Sequence, residues 1–469
     1  MSRLIQKAEE IYSSLNIGKL EAQGFKRDVR TYEYIVTYPP VRALGEITQQ
    51  EVCTKPINDT QFYVHIPFCK GPTSCTFCGR YEKFVDPSPE FVSEYLGYLE
   101  RETEIMSKLF GEFQVQTMYF GGGTPTYLEP EQLERLINSL NRTLAIQRGA
   151  EFTVEGHPRT ITERKLEVLL YQGVNRFSLG VQDYHDDTLD VCKRRHTKKE
   201  AMQSTAMILK AGLINLNIDL MTGLPYQTLE RFEENLRIFG DSGAVCTTIY
   251  PMYIRPGCEI SGSDTSVLPT MKENILMQIM AKEFFKEKGW TEGPIHYYAA
   301  LGIVTQRQNE RKWSGAENIG IGLSVYQFAN NCQFHNTFNF DKYKRLIDQG
   351  KLPIGMGKVL DRREQMARSM VLGMKKGTLD IRAFYAKFGE HPESVYPETI
   401  QRLKDLGLVV NTTDEHEIVD KLGSLSLTFL AELFSEEIAL KFYTEKTKQA
   451  IGQGGYCCYS IAELPQERA

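Results

Sequence analysis

The chain has 469 residues, 41% hydrophobic and 25% charged, with a formal net charge of −5 and ten cysteines. That is ordinary globular composition for two or three domains, and its acidic balance argues against a general nucleic-acid binder. No apolar run reaches the roughly 18 residues of a spanning helix, the first ten residues lack a signal-peptide core, and the cysteines form no disulfide framework, so a cytoplasmic, reducing setting is expected.

Residues 1–58 are polar and mixed, and read as an N-terminal arm. Tyr32 to Tyr38 could be extended, with Pro39-Pro40 ending the run. From residue 60 apolar, β-branched and aromatic runs recur near 62–68, 115–120, 151–155, 175–181, 214–220 and 245–251. Helical segments separate most of them. Ser88-Pro89 supplies an N-cap and a first-turn proline, Pro130 opens a second helix, and Thr197 with Glu200 makes a capping box before a helix that Gly212 is placed to end. This alternation predicts a parallel sheet, and six units suit an open barrel whose chemistry sits after the strand C-termini.

Three cysteines, Cys69, Cys75 and Cys78, follow the first run directly. Three thiolates can hold an iron–sulfur cluster with one iron left open for a ligand. Structural zinc wants four ligands, and the nearest fourth is His65, inside the run itself. Local spacing leaves cluster and zinc both open. The second run ends in Gly121-Gly122-Gly123-Thr124-Pro125-Thr126. The glycines expose backbone N–H groups to a close ligand, though a tight turn explains them equally well. Glu155, Gln182 with Asp183, and Asp219 close three further runs. Each alone reads as a cap or an ion-pair member. Together they would converge on one barrel mouth.

Beyond residue 346 helices are expected near 363–375, 381–388 and 398–408, with an extended Leu408-Val409-Val410, a winged-helix pattern that reads first as a cap on the barrel. Cys457 and Cys458 lie in a Gly-rich tail. A flexible tail is the default reading, with a redox or substrate role as the alternative.

Tyr63-Val64-His65-Ile66-Pro67-Phe68-Cys69, Thr76-Phe77, the Gly121–Thr126 run, Leu179-Gly180-Val181-Gln182-Asp183, and Asn217-Ile218-Asp219-Leu220 with Gly223-Leu224-Pro225 occur in order. With these the chain resembles the radical S-adenosylmethionine (SAM) enzymes of the HemN-like group, related to oxygen-independent coproporphyrinogen III oxidases. The resemblance implies an α/β fold: a partial (β/α)6 barrel with a C-terminal helical, winged-helix-like domain. It divides the chain into an arm (1–58), the radical SAM core (59–270), a barrel extension with second-SAM and substrate region (271–345), and a C-terminal domain and tail (346–469). It implies that Cys69, Cys75 and Cys78 hold a [4Fe–4S] cluster. Gly122, Gly123 and Thr124 would meet the methionyl part of SAM. Glu155 and Asp219 would hold the nucleoside, and Gln182 and Arg194 would complete the pocket, with Arg195 a rival for Arg194. Tyr63 and Phe77 would pack beside SAM and cluster. A second SAM molecule on Gly123 and Thr124 also occurs in the group. The implied partners are a small-molecule substrate and a flavodoxin- or ferredoxin-type electron donor, with no nucleic acid and no membrane.

The sequence departs from the family at two points. Five residues, not three, separate Cys69 from Cys75, and Arg80 stands where the coproporphyrinogen oxidases carry a fourth cysteine. Thr76-Phe77-Cys78-Gly79-Arg80-Tyr81 is most similar to the members that break down haem. The expected reaction is therefore C-methylation or methylene transfer on a tetrapyrrole or natural-product intermediate. Oxidative decarboxylation of coproporphyrinogen III is the alternative enzyme, and a haem-transfer chaperone the alternative without turnover. No catalytic acid or base is legible. Val304 to Arg311, basic and polar, reads first as a solvated loop, with a similarity to the members that break down haem as the alternative, and Gly320-Ile321-Gly322-Leu323-Ser324 reads as a small-residue turn.

Overall fold

Six largely buried runs form six parallel strands: β1 (Asp59–Ile66), β2 (Gln114–Gly122), β3 (Ala145–Gly156), β4 (Arg176–Gln182), β5 (Leu216–Thr222) and β6 (Cys246–Pro251). The computed structural model describes residues 2–25, 35–71, 74–78, 83–254, 258–262, 265–303, 306–412 and 423–452. The sheet continues past both edges. Beside β6 run the antiparallel β7 (Thr291–Glu292) and β8 (Tyr297–Ala299). On the other side β9 (Asn318–Ile321) pairs parallel to β1, and β10 (Tyr326–Ala329), β11 (Cys332–Asn336) and β12 (Ile354–Val359) follow antiparallel. The order is β12-β11-β10-β9-β1-β2-β3-β4-β5-β6-β8-β7, an open twelve-stranded sheet. The six expected parallel strands are present, and β9 makes a seventh.

Local sequence starts and stops the crossover helices. Ser88 Oγ accepts from Phe91 N (3.2 Å) and Pro89 opens α2 (Pro89–Phe110), after α1 (Arg3–Ser14). Leu133, Leu136, Ile137 and Leu140 form the buried stripe of α3 (Pro130–Thr143), and α4 spans Glu163–Tyr171. The Thr197–Glu200 capping box starts α5 (Lys198–Lys210), and Gly212 follows it at φ +101°. Helices α6 (Leu229–Asp241) and α7 (Met271–Glu287) complete the outer layer.

The N-terminal arm contains the helix α1, whose Ile5 and Ala8 are buried. It packs against α7, where Lys7 pairs with Glu283 (2.7 Å) and Lys272 with Glu9 (2.9 Å). No strand forms at Ile35 to Tyr38, and residues 32–34 of the expected extended run lie outside the described residues. Ile35 N instead donates to Glu436 (2.9 Å) and Tyr38 Oη to Glu364 (2.7 Å), so side chains tie this segment to the C-terminal region. There α10 (Arg362–Lys376), after α8 (Arg307–Trp313) and α9 (Phe340–Asp348), is followed by α11 (Ile381–Phe388) and α12 (Pro397–Asp405). A small sheet of β13 (Thr378–Asp380), β15 (Ser424–Leu427) and β14 (Val409–Thr412), in that order, completes a winged-helix arrangement. It packs on the barrel through Arg368, which donates to Gly315 O (3.1 Å) and stacks 3.5 Å over the Phe328 ring. Cys457 and Cys458 lie outside the described residues.

One buried acid braces the sheet. Glu102 on α2 accepts from Gly322 N (2.8 Å), Asn336 Nδ2 (2.6 Å) and the Tyr343 hydroxyl. Burial pushes its carboxyl up to about 8 against these donors. Folding therefore takes up a proton between the ordinary carboxyl range and about pH 8. The stabilisation is full at the acid end of that window and is lost as pH rises through it. Glu102→Gln is expected to flatten the fall of melting temperature between pH 5 and 8; an unchanged slope would remove Glu102 as its source.

Candidate functional site

The three-cysteine loop is pinned from several sides. Beyond β1, Phe68-Cys69 pairs in parallel with Phe84-Val85, and Phe84 N donates to Pro67 O (2.9 Å) and Asp86 N to Cys69 O (3.0 Å). The Asp86 carboxylate accepts from Gly71 N (3.0 Å). Farther along, Cys78 N reaches Cys75 O (3.0 Å), Thr76 N reaches Cys192 O (3.2 Å), and Ile260 N reaches Thr76 O (3.0 Å). Pro72, Thr73, Gly79 and Arg80 lie outside the described residues. None of Cys69, Cys75 and Cys78 is in a disulfide, and none is fully buried. Cations flank them: the Lys83 ammonium bonds Cys78, and Arg194 Nη1 lies 3.5 Å from Cys75 Sγ. Burial raises the Cys69 thiol above its ordinary value, while Lys83 and a bond from Thr124 oppose the rise.

Beside this loop the glycines allow backbone to pack on backbone. Gly123 N donates to Ile66 O (2.8 Å), and a Cβ on Gly123 would stand 2.6 Å from Phe68 O. Gly122 has φ +115°, and its Cβ would stand 2.7 Å from His65 Nε2. His65 therefore packs against the glycine run. Among the described residues no three His, Cys, Asp or Glu side chains close on a point suited to a single metal ion. Lys83 lies within electrostatic reach of all three thiols.

The strand ends enclose a cavity of about 390 Å³, within the range of small-molecule sites. Tyr63, Phe77, Cys78, Glu155, Gln182 and Asp219 line it. Tyr63 stacks on Tyr119, with centroids 5.7 Å apart, and Tyr119 Oη donates to Glu155 (2.7 Å). Asp219 accepts from Asn217 (2.8 Å) and Ser178 (3.2 Å). Burial pushes Glu155 up to about 7 and Asp219 up to about 6, with Tyr119 and Asn217 respectively the strongest opposing groups. Gln182 sits at φ +75°, beside a register shift between Gly180 and Gln182. Gly122, Gly123 and Thr124 are not among the residues that line the cavity; they are tied to Glu155, Ile66 and Cys69 respectively. Arg194 reaches the Cys75 sulfur and Gly180 O, whereas the Arg195 side chain lies along Gly71. Asp183 turns away: it accepts from His185, Gln227 and Asn235 in the surrounding wall.

The cavity has a floor. Glu151 at the inner end of β3 accepts from Arg307 N (3.0 Å) and Gln308 N (3.4 Å), holding α8 across the strands. Thr117 Oγ1 donates to Gln308 (2.9 Å). Gln306, Asn309, Lys312 and Trp313 then face the cavity, so the segment expected as a solvated loop is a helix closing the barrel. Asn309 Nδ2 donates to Tyr297 Oη (2.6 Å), which lies 3.1 Å from Tyr250 Oη. Gly320 and Ile321 of the expected small-residue turn belong to β9, and its last residue, Ser324, lines the wall with Val325. Asn217 was legible in principle: it falls two residues before Asp219, on the same face. The floor and Lys83 carry no such local signal.

Residues 63–239 match the Radical SAM superfamily. They are a radical SAM domain. This domain implies a [4Fe–4S] cluster and SAM, and the three cysteine thiols, their flanking cations and the glycine cradle fit such a group. The chain is 29% identical over 355 residues to "Heme chaperone HemW" of Bacillus subtilis, covering 75% of this chain and 92% of that protein. It is 26% identical over 459 residues to "Oxygen-independent coproporphyrinogen III oxidase" of Cereibacter sphaeroides, covering 93% and 98%. The fold matches that of coproporphyrinogen III oxidase (HemN) from Escherichia coli, with a TM-score of 0.75, 24% identity, and coverage of 88% of this chain and 97% of that one. These relatives lend no support to the preference for methyl transfer. No helix among the described residues is long and apolar enough to cross a membrane.

Proposed function

We propose that this chain is a SAM-dependent radical enzyme acting on a tetrapyrrole, with oxidative decarboxylation of a porphyrinogen side chain as the reaction. The observation that carries the enzyme reading is the joining of a three-thiol loop to a cavity lined by two half-buried carboxylates, Glu155 and Asp219. When bound, cluster and SAM supply one-electron cleavage of a carbon–sulfur bond and a carbon radical that abstracts hydrogen. Cys69, Cys75 and Cys78 would hold the cluster. Gly122 and Gly123 would let the methionyl group approach backbone, with Thr124 beside it. Glu155 and Asp219 would accept hydrogen bonds from the nucleoside, Gln182 and Arg194 would complete the wall, and Tyr63 and Phe77 would keep water from the sulfonium. A flavodoxin- or ferredoxin-type protein would be the electron donor.

The choice of decarboxylation rests on coverage: the oxidase alignment runs through the C-terminal region, whereas the chaperone alignment covers 75% of the chain. Methyl or methylene transfer with a second SAM is the second reading, favoured by Arg80 in place of the fourth cysteine. Anaerobic incubation with SAM, dithionite and coproporphyrinogen III separates them. 5′-Deoxyadenosine with a decarboxylated product supports the first. 5′-Deoxyadenosine with S-adenosylhomocysteine moves weight to the second. SAM left intact beside stably held haem points to a carrier.

Glu155→Ala is expected to weaken SAM binding about tenfold or more, the loss of one charged hydrogen bond. Binding of cationic SAM favours ionised carboxylates, so affinity should rise with pH through 6 to 7. The parent's affinity persisting in Glu155→Ala would remove Glu155 from the pocket.

A further inference from the structure

We infer that Lys83 is the resident countercharge of the cysteine loop: it steadies the thiolates of Cys69, Cys75 and Cys78 and biases a bound [4Fe–4S] cluster toward its one-electron-reduced form. The inference rests on these three cysteines holding that cluster. The fold fixes the lysine's place. Phe84-Val85 pairs with Phe68-Cys69, and Phe84 N bonds Pro67 O (2.9 Å), so the residue before Phe84 is set against the loop. From there its ammonium hydrogen-bonds Cys78. The acid on the same segment, Asp86, is engaged by Gly71 N (3.0 Å) and leaves the lysine's charge to the sulfurs. Arg194 approaches a different cysteine, Cys75.

The physical consequence follows from Coulomb's law. Reduction adds one electron, and one negative charge, to a cluster already ligated by three thiolates. A cation a few ångströms away stabilises the more negative state more, and partial burial keeps water from screening it. Lysine suits this place because its charge is a compact point on a flexible stem. The electron comes from the low-potential donor, or from dithionite in the test; no bond to Lys83 forms or breaks.

The test is an EPR-monitored redox titration of the anaerobically reconstituted full chain without substrate, on the parent, Lys83→Gln and Lys83→Arg, with iron and sulfide content measured on each. Lys83→Gln should lower the reduced-to-oxidised ratio about tenfold at fixed poise, which is 59 mV for a one-electron couple. Lys83→Arg should stay near the parent. Failure of Lys83→Gln to load iron, with Lys83→Arg loading normally, would equally support the countercharge, read through assembly. A Lys83→Gln protein that loads fully and titrates with the parent overturns the inference, as does a Lys83→Arg protein that behaves like Lys83→Gln. A parent that binds no four-iron cluster would instead sink the cluster reading itself.

Discussion

Cys75→Ala protein, reconstituted anaerobically with iron and sulfide, is expected to hold almost no [4Fe–4S] cluster and to leave SAM intact. Cys75 sits at the hinge of the loop: its carbonyl takes the Cys78 N–H and its sulfur faces Arg194. The alanine keeps the carbonyl and removes only the sulfur, so loop geometry should survive while one of three protein ligands is lost. A control lies close by. Cys192 lends its backbone carbonyl to Thr76 N, but its thiol is buried among apolar side chains, which push it up to about 12. Cys192→Ala should load iron as the parent does. Full iron and SAM cleavage in Cys75→Ala would remove Cys75 from the ligand set, and loss of iron in Cys192→Ala would add Cys192 to it.

Gly123→Ala is expected to damage cradle and loop together. Its Cβ would meet Phe68 O at 2.6 Å and Phe68 N at 2.9 Å. These are backbone atoms of the segment that carries Cys69, and no side chain can swing aside. Overpacking of this kind costs about 1–3 kcal/mol, and relief would push Cys69 away from Cys75 and Cys78. The measurements are thermal midpoint and iron content. Gly149→Ala is the contrast: Gly149 has φ +76° but nothing within 4 Å of its Cβ, so it should lose stability and keep iron. A Gly123→Ala protein with the parent's midpoint and iron content would mean that the close approach does not constrain the loop.

Much of this was readable from local patterns. The six parallel strands follow from apolar, β-branched and aromatic runs recurring between helical segments, and the starts of α2, α3 and α5 follow from a serine cap, a proline and a capping box, each decided within one turn of helix. The strand-end residues Glu155, Gln182 and Asp219 were found because a barrel brings strand C-termini to one mouth. What escaped was decided by distant partners. β9 is four residues long and is a strand only because β1 stands beside it. Helix α1 is mostly polar, and its buried stripe exists only against α7 and α6. Glu102 looks like a surface residue of α2 until Asn336 and Tyr343 arrive from more than 200 positions away. Lys83 likewise reads as one more surface lysine without the pairing of Phe84 with Phe68.

The helix held by Glu151 gives the barrel a false bottom. The depth available to a guest molecule is set by α8, a seven-residue insert distant in sequence from the cysteines and from the strand ends. Exchanging Asn309, Lys312 or Trp313 changes how far a molecule can sink and what it meets there, with the loop and the glycine run left as they are. The chamber thus has two ends that can change independently: a mouth committed to one kind of chemistry, and a base free to be recut for a different guest.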